Sequence, residues 1–168
     1  MNPEELQKLT DQLLKPGRRT PMTESVRKAT HNDLPEKVGV YAIWEKEKPL
    51  YVGYAGKEQR SKPTALCGLK DRIDSHRNGT LYKSTLALGV WFHLIAPTLE
   101  LEEHRKIRAG ERNPSAETRD YIRAKLSYSF VVCATPAEAR ALERHILDHD
   151  KPELNRFSRL LKSKSVPV

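Results

Sequence analysis

The chain holds only two cysteines, Cys67 and Cys133, in 168 residues. They lie far apart in sequence, so a disulfide framework is not supported, and reduced, buried thiols in a cytoplasmic protein are expected. No apolar run approaches the ~18 residues that a spanning helix needs, so no membrane association is expected. The opening residues, M-N-P-E-E-L-Q-K-L-T, lack a basic segment followed by an apolar core, and no secretory signal is expected. There is no internal repeat, no zinc ribbon and no helix-turn-helix pattern. His145 and His149 have the i, i+4 spacing of helical zinc sites, but H-E-x-x-H is missing and no cysteine is near in sequence. They are read as a charged outer face.

Charge is what the chain has in quantity. Hydrophobic residues make up 38% and charged residues 31%, with a net charge of +8. Its placement is uneven. Residues 54–83 and 151–168 each carry a net of +4, while 1–50 carry +1 and 84–150 carry −1. A basic excess confined to two stretches is the ordinary signature of phosphate neutralisation with counterion release; the alternative is a solubilising surface with a loose basic tail.

Those basic stretches flank the most informative part of the sequence, Val38 to Arg77. V-G-V-Y-A-I-W and L-Y-V-G-Y are rich in β-branched and aromatic residues and read as two strands. The polar link E-K-E-K-P, ending in Pro49, reads as the hairpin turn. Gly39 and Gly53 lie inside strand-like runs, where glycine marks a bulge or a close backbone approach. The segment from Lys57 to Cys67 reads as a polar, basic loop, and about Leu69 to Arg77 as a helix with Arg72 and His76 on one face. Asn78-Gly79 ends that helix.

Elsewhere, residues 3–14 form an amphipathic helix and Thr23 to Ala29 a helical turn capped by Thr23. Leu86 to Ile95 is a strand or a buried helix end. Helices are expected over Leu99–Arg108 and from Asn113-Pro114 to Leu126. Ser127 to Ala134 is the clearest strand, taken as the third and central one. Thr135, Pro136 and Glu138 have capping-box spacing and start a helix that runs to about Asp150, where Pro152 breaks it.

Gly39-Val40-Tyr41 and Tyr51-Val52-Gly53 resemble the two half-motifs of the GIY-YIG endonuclease superfamily, each with one replacement by Val. Arg72 on the next helix, Glu143 on a later one and Asn155 in K-P-E-L-N continue the resemblance over roughly Leu34 to Asn155. It implies an α/β (α+β) fold, a small antiparallel three-stranded sheet flanked by helices. Residues 1–33 would be an N-terminal helical extension, about 80–125 a helical insertion, and 157–168 a basic tail. It also implies a DNA endonuclease acting on double-stranded or branched DNA with one Mg²⁺ (or Mn²⁺), leaving a 5′-phosphate and a 3′-hydroxyl. The alternatives are a non-catalytic nucleic-acid-binding module on the same scaffold and an RNA-directed nuclease. Homodimerisation is left open.

By the same resemblance Tyr41 is the general base, Tyr51 positions water or phosphate, and Glu143 holds the metal. Residue chemistry sets the conditions. A free phenol has a pKa of ~10, and bringing it to 7 takes roughly 4 kcal/mol. Arg72, a bound cation, or relay of the proton onto His76 would each contribute. Arg72 also suits phosphoryl charge, being always ionised and able to bind phosphate bidentately. For His76 the alternatives are a phosphate contact or a partly buried structural role. Glu143 lies beside the apolar stripe of its helix, with Ala139, Arg140, Ile146 and Leu147 as neighbours, where a carboxylate is costly unless paired or metal-bound. Pairing with an arginine such as Arg72 is the alternative. Lys57, Arg60, Lys70, Arg77 and Asn155 are the expected nucleic-acid contacts, Asn155 also tying the tail to the site.

Overall fold

The structure, a computed structural model, describes residues 1–15, 17, 19–23, 36–59 and 62–155, with 57–59 and 62–66 described by backbone alone. Arg60, the helical turn beyond Thr23, the turn at 32–35 and the basic segment 157–168 lie outside the described residues.

Strand β2 (Gly39–Glu45) carries an apolar or aromatic side chain at five of its seven positions, and all but Glu45 are buried. A continuous run of this kind suits a strand covered on both faces. It turns through Lys46 and Glu47 into β3 (Lys48–Ala55), with Lys46 in the left-handed region at φ 51°. The turn is therefore shorter than E-K-E-K-P. Pro49 lies within β3 opposite Trp44, next to a bulge at Ile43/Trp44. Proline is tolerated there because β3 is the sheet edge, where an N–H is not needed by a neighbour.

The other long partner of β2 is β6 (Leu126–Val132), antiparallel with Gly39 opposite Val132 and Glu45 opposite Leu126. A two-residue strand β1 (Thr20–Pro21) adds to the far side of β6. The protein is thus mixed α/β with a four-stranded antiparallel sheet of order β1-β6-β2-β3. The expected count of three misses β1, which is too short to leave a pattern in sequence. The strand with two full-length partners is β2, not β6. The loop expected from Lys57 to Cys67 is also corrected. It holds β4 (Lys57–Gln59) and β5 (Lys62–Cys67), paired as a separate two-stranded ribbon.

Alternation along the strands sends side chains to two cores. Tyr41, Ile43 and Tyr51 face α2 (Leu69–Arg77), α3 (Thr85–Val90) and α5 (Pro114–Lys125), with Leu69, Ile73, Leu86, Val90 and Ile122 fully buried. Val40, Ala42, Trp44 and Val52 face α1 (Pro3–Leu14) and α6 (Pro136–His149). The N-terminal residues are therefore part of the core. Asn2 caps α1 in a reciprocal box with Glu5. Leu13 is fully buried, and its carbonyl accepts from Ser129 Oγ at 2.8 Å, which in turn accepts from Trp44 Nε1 at 2.9 Å. Arg19 lies 4.3 Å from the Trp44 ring centroid and pairs with Glu47 at 2.8 Å.

The 80–125 segment is likewise built in. Leu86 to Ile95 is helical, α3 running on through a π turn (Trp91–Ile95). Next come α4 (Leu101–Arg108) and α5, whose Asn113 cap accepts from Ser115 and Ala116. Thr135 caps α6 as expected, accepting from Glu138 N at 3.2 Å, while the Glu138 carboxylate accepts from Ala134 N. Neither Cys67 nor Cys133 is in a disulfide; Cys133 is buried, which pushes its thiol up to about 11, whereas Cys67 is only half-buried. No helix among the described residues is long and apolar enough to cross a membrane.

Candidate active site

The register of the β2–β3 hairpin places Gly53 directly opposite Tyr41. The phenol lies flat across that gap. A Cβ on Gly53 would sit 2.4 Å from Tyr41 Oη and 2.7 Å from its Cζ. Gly39 meets a similar limit, since a Cβ there would lie 2.2 Å from the Val131 carbonyl oxygen. Both strand glycines thus mark close approach, and Gly53 makes the room that Tyr41 occupies.

Tyr41 is fully buried and points at α2, where its Oη lies 2.7 Å from His76 Nε2. His76 Nδ1 lies 2.8 Å from Ser84 Oγ, which also caps α3 by accepting from Ala87 N. Burial, with the Arg72 charge adding to it, holds His76 down at about 3, so the imidazole is neutral and can accept on one nitrogen only. Arg72 sits against the phenol on the same face of α2 and supplies donors to its oxygen. The arrangement that satisfies every group has Tyr41 donating to Nε2 and Nδ1–H donating to Ser84. Tyr51 completes the cluster. Its ring centroid is 6.3 Å from that of Tyr41 and 5.6 Å from that of His76, and its hydroxyl makes a long 3.4 Å contact with Thr85 Oγ1.

The electrostatics of the phenol run against simple ionisation. Burial raises Tyr41 well above the ordinary phenol range and Tyr51 adds to this, while Arg72 pulls it down and Glu143 pushes it up again. Desolvation outweighs the guanidinium. Arg72 itself is raised, chiefly by Tyr41. Its Nε is buried with no hydrogen-bond partner among the described residues, a donor held out of water.

Glu143 is half-buried on α6, between Leu142 and Ile146, which are fully buried against the opposite face of the sheet. The structure brings together Tyr41 and Tyr51 from the hairpin, Arg72 and His76 from α2, and Ser84 and Thr85 from the inserted segment, while Glu143 on α6 acts on the Tyr41 phenol through its charge. Ser84 and Thr85 have no counterpart among the sequence-derived candidates. Ser-Thr before the apolar run L-A-L-G-V is a helix-cap signal, but nothing local connects it to His76.

The expected nucleic-acid contacts divide. Asn155 is buried, donating from Nδ2 to the Val52 carbonyl and accepting from the Val52 N–H, both at 2.7 Å. It holds the segment after α6 onto the open edge of β3, as expected of a tie, and the amide is directed at that backbone and not outward. Arg77 Nε donates to the Met22 carbonyl at 2.7 Å with its side chain 11% exposed, so it too braces the fold. Lys70 is half-exposed and reaches Glu36 at 3.4 Å. Lys57 lies on β4 with its side chain undescribed, and Arg60 is outside the described residues. His149 Nδ1 donates to the His145 carbonyl at 2.7 Å, and no cluster of three metal-ligating side chains occurs among the described residues. Comparison of the chain with protein-family models, with curated proteins and with solved structures finds no match.

Proposed function

We propose that this chain is a DNA endonuclease of the GIY-YIG type, hydrolysing phosphodiester bonds with one Mg²⁺ (or Mn²⁺). The observation that carries the reading is the buried, unpartnered Arg72 Nε beside a phenol that is hydrogen-bonded to a neutral histidine. A phosphoryl oxygen is the natural acceptor for that donor, since guanidinium binds phosphate with charge-assisted bonds. The Glu143 carboxylate would supply an oxygen ligand, the donor type that Mg²⁺ takes while keeping several of its waters. When bound, such an ion neutralises charge on the phosphoryl and leaving oxygens.

The residues of the chain would divide the work as follows. Arg72 binds and orients the phosphate. Water adds to phosphorus as the bond to the 3′-oxygen breaks, the departing oxygen taking a proton from a solvent water, giving a 5′-phosphate and a 3′-hydroxyl. The raised phenol pKa disfavours a standing phenolate, so Tyr41 takes the water proton on Oη while passing its own proton to His76 Nε2. Ser84, accepting from Nδ1–H, steadies the imidazolium that forms. Burial and Arg72 oppose that charge in the resting site, and a phosphate seated on Arg72 offsets the guanidinium. Tyr51 borders the same space and positions the reacting groups.

Plasmid, branched and single-stranded DNA incubated with the protein in Mg²⁺ or EDTA test this directly. Cleavage should require the cation, and Tyr41→Phe should lose ~10²-fold or more in rate, the usual scale of a positioned acid–base group. Glu143→Gln should abolish cleavage and leave DNA binding intact. Full activity in either variant would sink the assignment, and a wild type that binds but never cuts would favour a binding module.

A further inference from the structure

We infer that Tyr82 is a stacking platform for an unpaired nucleotide next to the phosphate bound at Arg72, which makes the substrate a single-stranded or branched DNA instead of an uninterrupted duplex. The inference rests on the nuclease reading above and narrows its substrate. Tyr82 is 81% exposed, the most exposed large apolar side chain among the described residues, whereas Tyr41, Tyr51 and Tyr128 are buried. A tyrosine ring carries a large apolar face that is ordinarily covered. This one is held out into solvent on a short 3₁₀ turn, Leu81–Lys83.

The turn is anchored at both ends. On one side Gly79, with φ +62°, packs so tightly on α5 that a Cβ would lie 2.5 Å from Arg119 Cα. Lys83 N closes the turn onto the Thr80 carbonyl at 3.1 Å. On the other side Ser84 Oγ is held by His76 and Thr85 Oγ1 lies against Tyr51. The exposed ring is thus rooted two residues from the candidate relay, with Cα atoms at most about 7 Å apart. Lys83 Nζ sits 5.5 Å from the Tyr82 ring centroid, placing a cation beside the aromatic face. An open aromatic face with an adjacent cation is the pairing that holds single strands, the ring taking a base and the cation a phosphate. A base inside a duplex offers only its edge, because both its faces are stacked.

The test uses oligonucleotides carrying 2-aminopurine, as single strands, forks and full duplexes, with EDTA present to prevent cleavage. Wild type should change the 2-aminopurine fluorescence of single-stranded and fork DNA. Tyr82→Ala should abolish that change and weaken binding to both about 5- to 100-fold, leaving duplex binding unaltered, and Tyr82→Trp should retain both signals. Because stacking releases no counterions, the salt dependence should be the same in Tyr82→Ala, while Lys83→Ala should flatten it by ~0.7 per lost phosphate contact. An equal loss on duplex, or on a strand with an abasic site at the probe position, would overturn stacking. DNA binding and cleavage that are indifferent to Tyr82 would remove this inference alone; a wild type that binds no DNA would remove the nuclease reading with it.

Discussion

Replacing Gly53 with alanine adds one methyl group at the point where the phenol of Tyr41 crosses β3. The new Cβ would lie 2.4 Å from Oη, 2.7 Å from Cζ and 3.0 Å from Tyr51 Cε1. Comfortable separations are about 3.5–4.0 Å, so the ring must move by roughly 1 Å. Tyr41 has no exposed surface, and Tyr51 and His76 lie against it. A displacement of that size carries Oη away from a 2.7 Å hydrogen bond with His76 Nε2. Overpacking of this kind costs about 1–3 kcal/mol, and leaving the buried imidazole nitrogen unpaired costs about 1–3 kcal/mol more. Gly53→Ala is therefore expected to lower unfolding free energy by roughly 2–6 kcal/mol, read from the urea midpoint at unchanged slope. If the folded variant is assayed on DNA, misplacement by 1 Å should cost on the order of 10²-fold in rate. The decisive measurement is a double-mutant cycle with Tyr41→Leu, which takes away the ring and the hydroxyl. In that background most of the Gly53→Ala penalty should vanish, a coupling of the kind that contacting residues show. The same penalty in both backgrounds would refute the steric link between the two half-motifs.

Two further outcomes follow from the buried polar groups. Asn155→Ala leaves the Val52 N–H and C=O without their 2.7 Å partners, each loss costing about 1–3 kcal/mol. Asn155→Asp, which keeps the acceptor alone, should fall between wild type and alanine in urea midpoint and in hydrogen-exchange protection of the Val52 amide; identical values for both variants would discount the bidentate tie. For His76, the folded value of about 3 lies below the unfolded ~6.5, so the unfolded chain binds more protons between those limits. Stability should be complete above pH ~6.5 and fall as pH drops towards 3. His76→Gln should flatten the stability profile over that window, and an unaltered slope would show that His76 is not the group responsible.

How much of this was readable in advance varies with the range of the interaction. The strands around Val40 and Val52, the helix carrying Arg72 and His76, and the cap at Thr135 are local patterns of apolar spacing and hydrogen-bonding side chains, and they stand where expected. The glycines announced a close approach, but not to what. That Gly53 faces Tyr41 depends on a two-residue turn at Lys46-Glu47, with a lysine in the left-handed region that its residue type does not advertise. The β4–β5 ribbon was missed because Lys57, Glu58 and Gln59 are poor strand formers whose pairing comes from their partner strand. Ser84 reaches His76 across a helix end, and Arg77 spends itself on a carbonyl fifty-five residues away. Neither contact has a local signature. The charge map gives the net charge of each segment and is silent on which basic side chains are committed to the fold, as Arg77 is.

The middle strand of the sheet has neighbours of very different ages in the growing chain. β3 follows β2 after two residues, but β6, which pairs with its other side, begins at Leu126 opposite Glu45. During synthesis at about 5–20 residues per second, some eighty residues must be added before that side is covered, an interval of roughly 4–16 s. Until then the hairpin presents an apolar, hydrogen-bonding edge of the kind that recruits foreign strands. The segment made in the interval, from the ribbon through α5, includes the helices that cover the Tyr41 face of the hairpin. It shelters the nascent sheet from one side while β6 is still being made, and Glu143 arrives only afterwards, with α6.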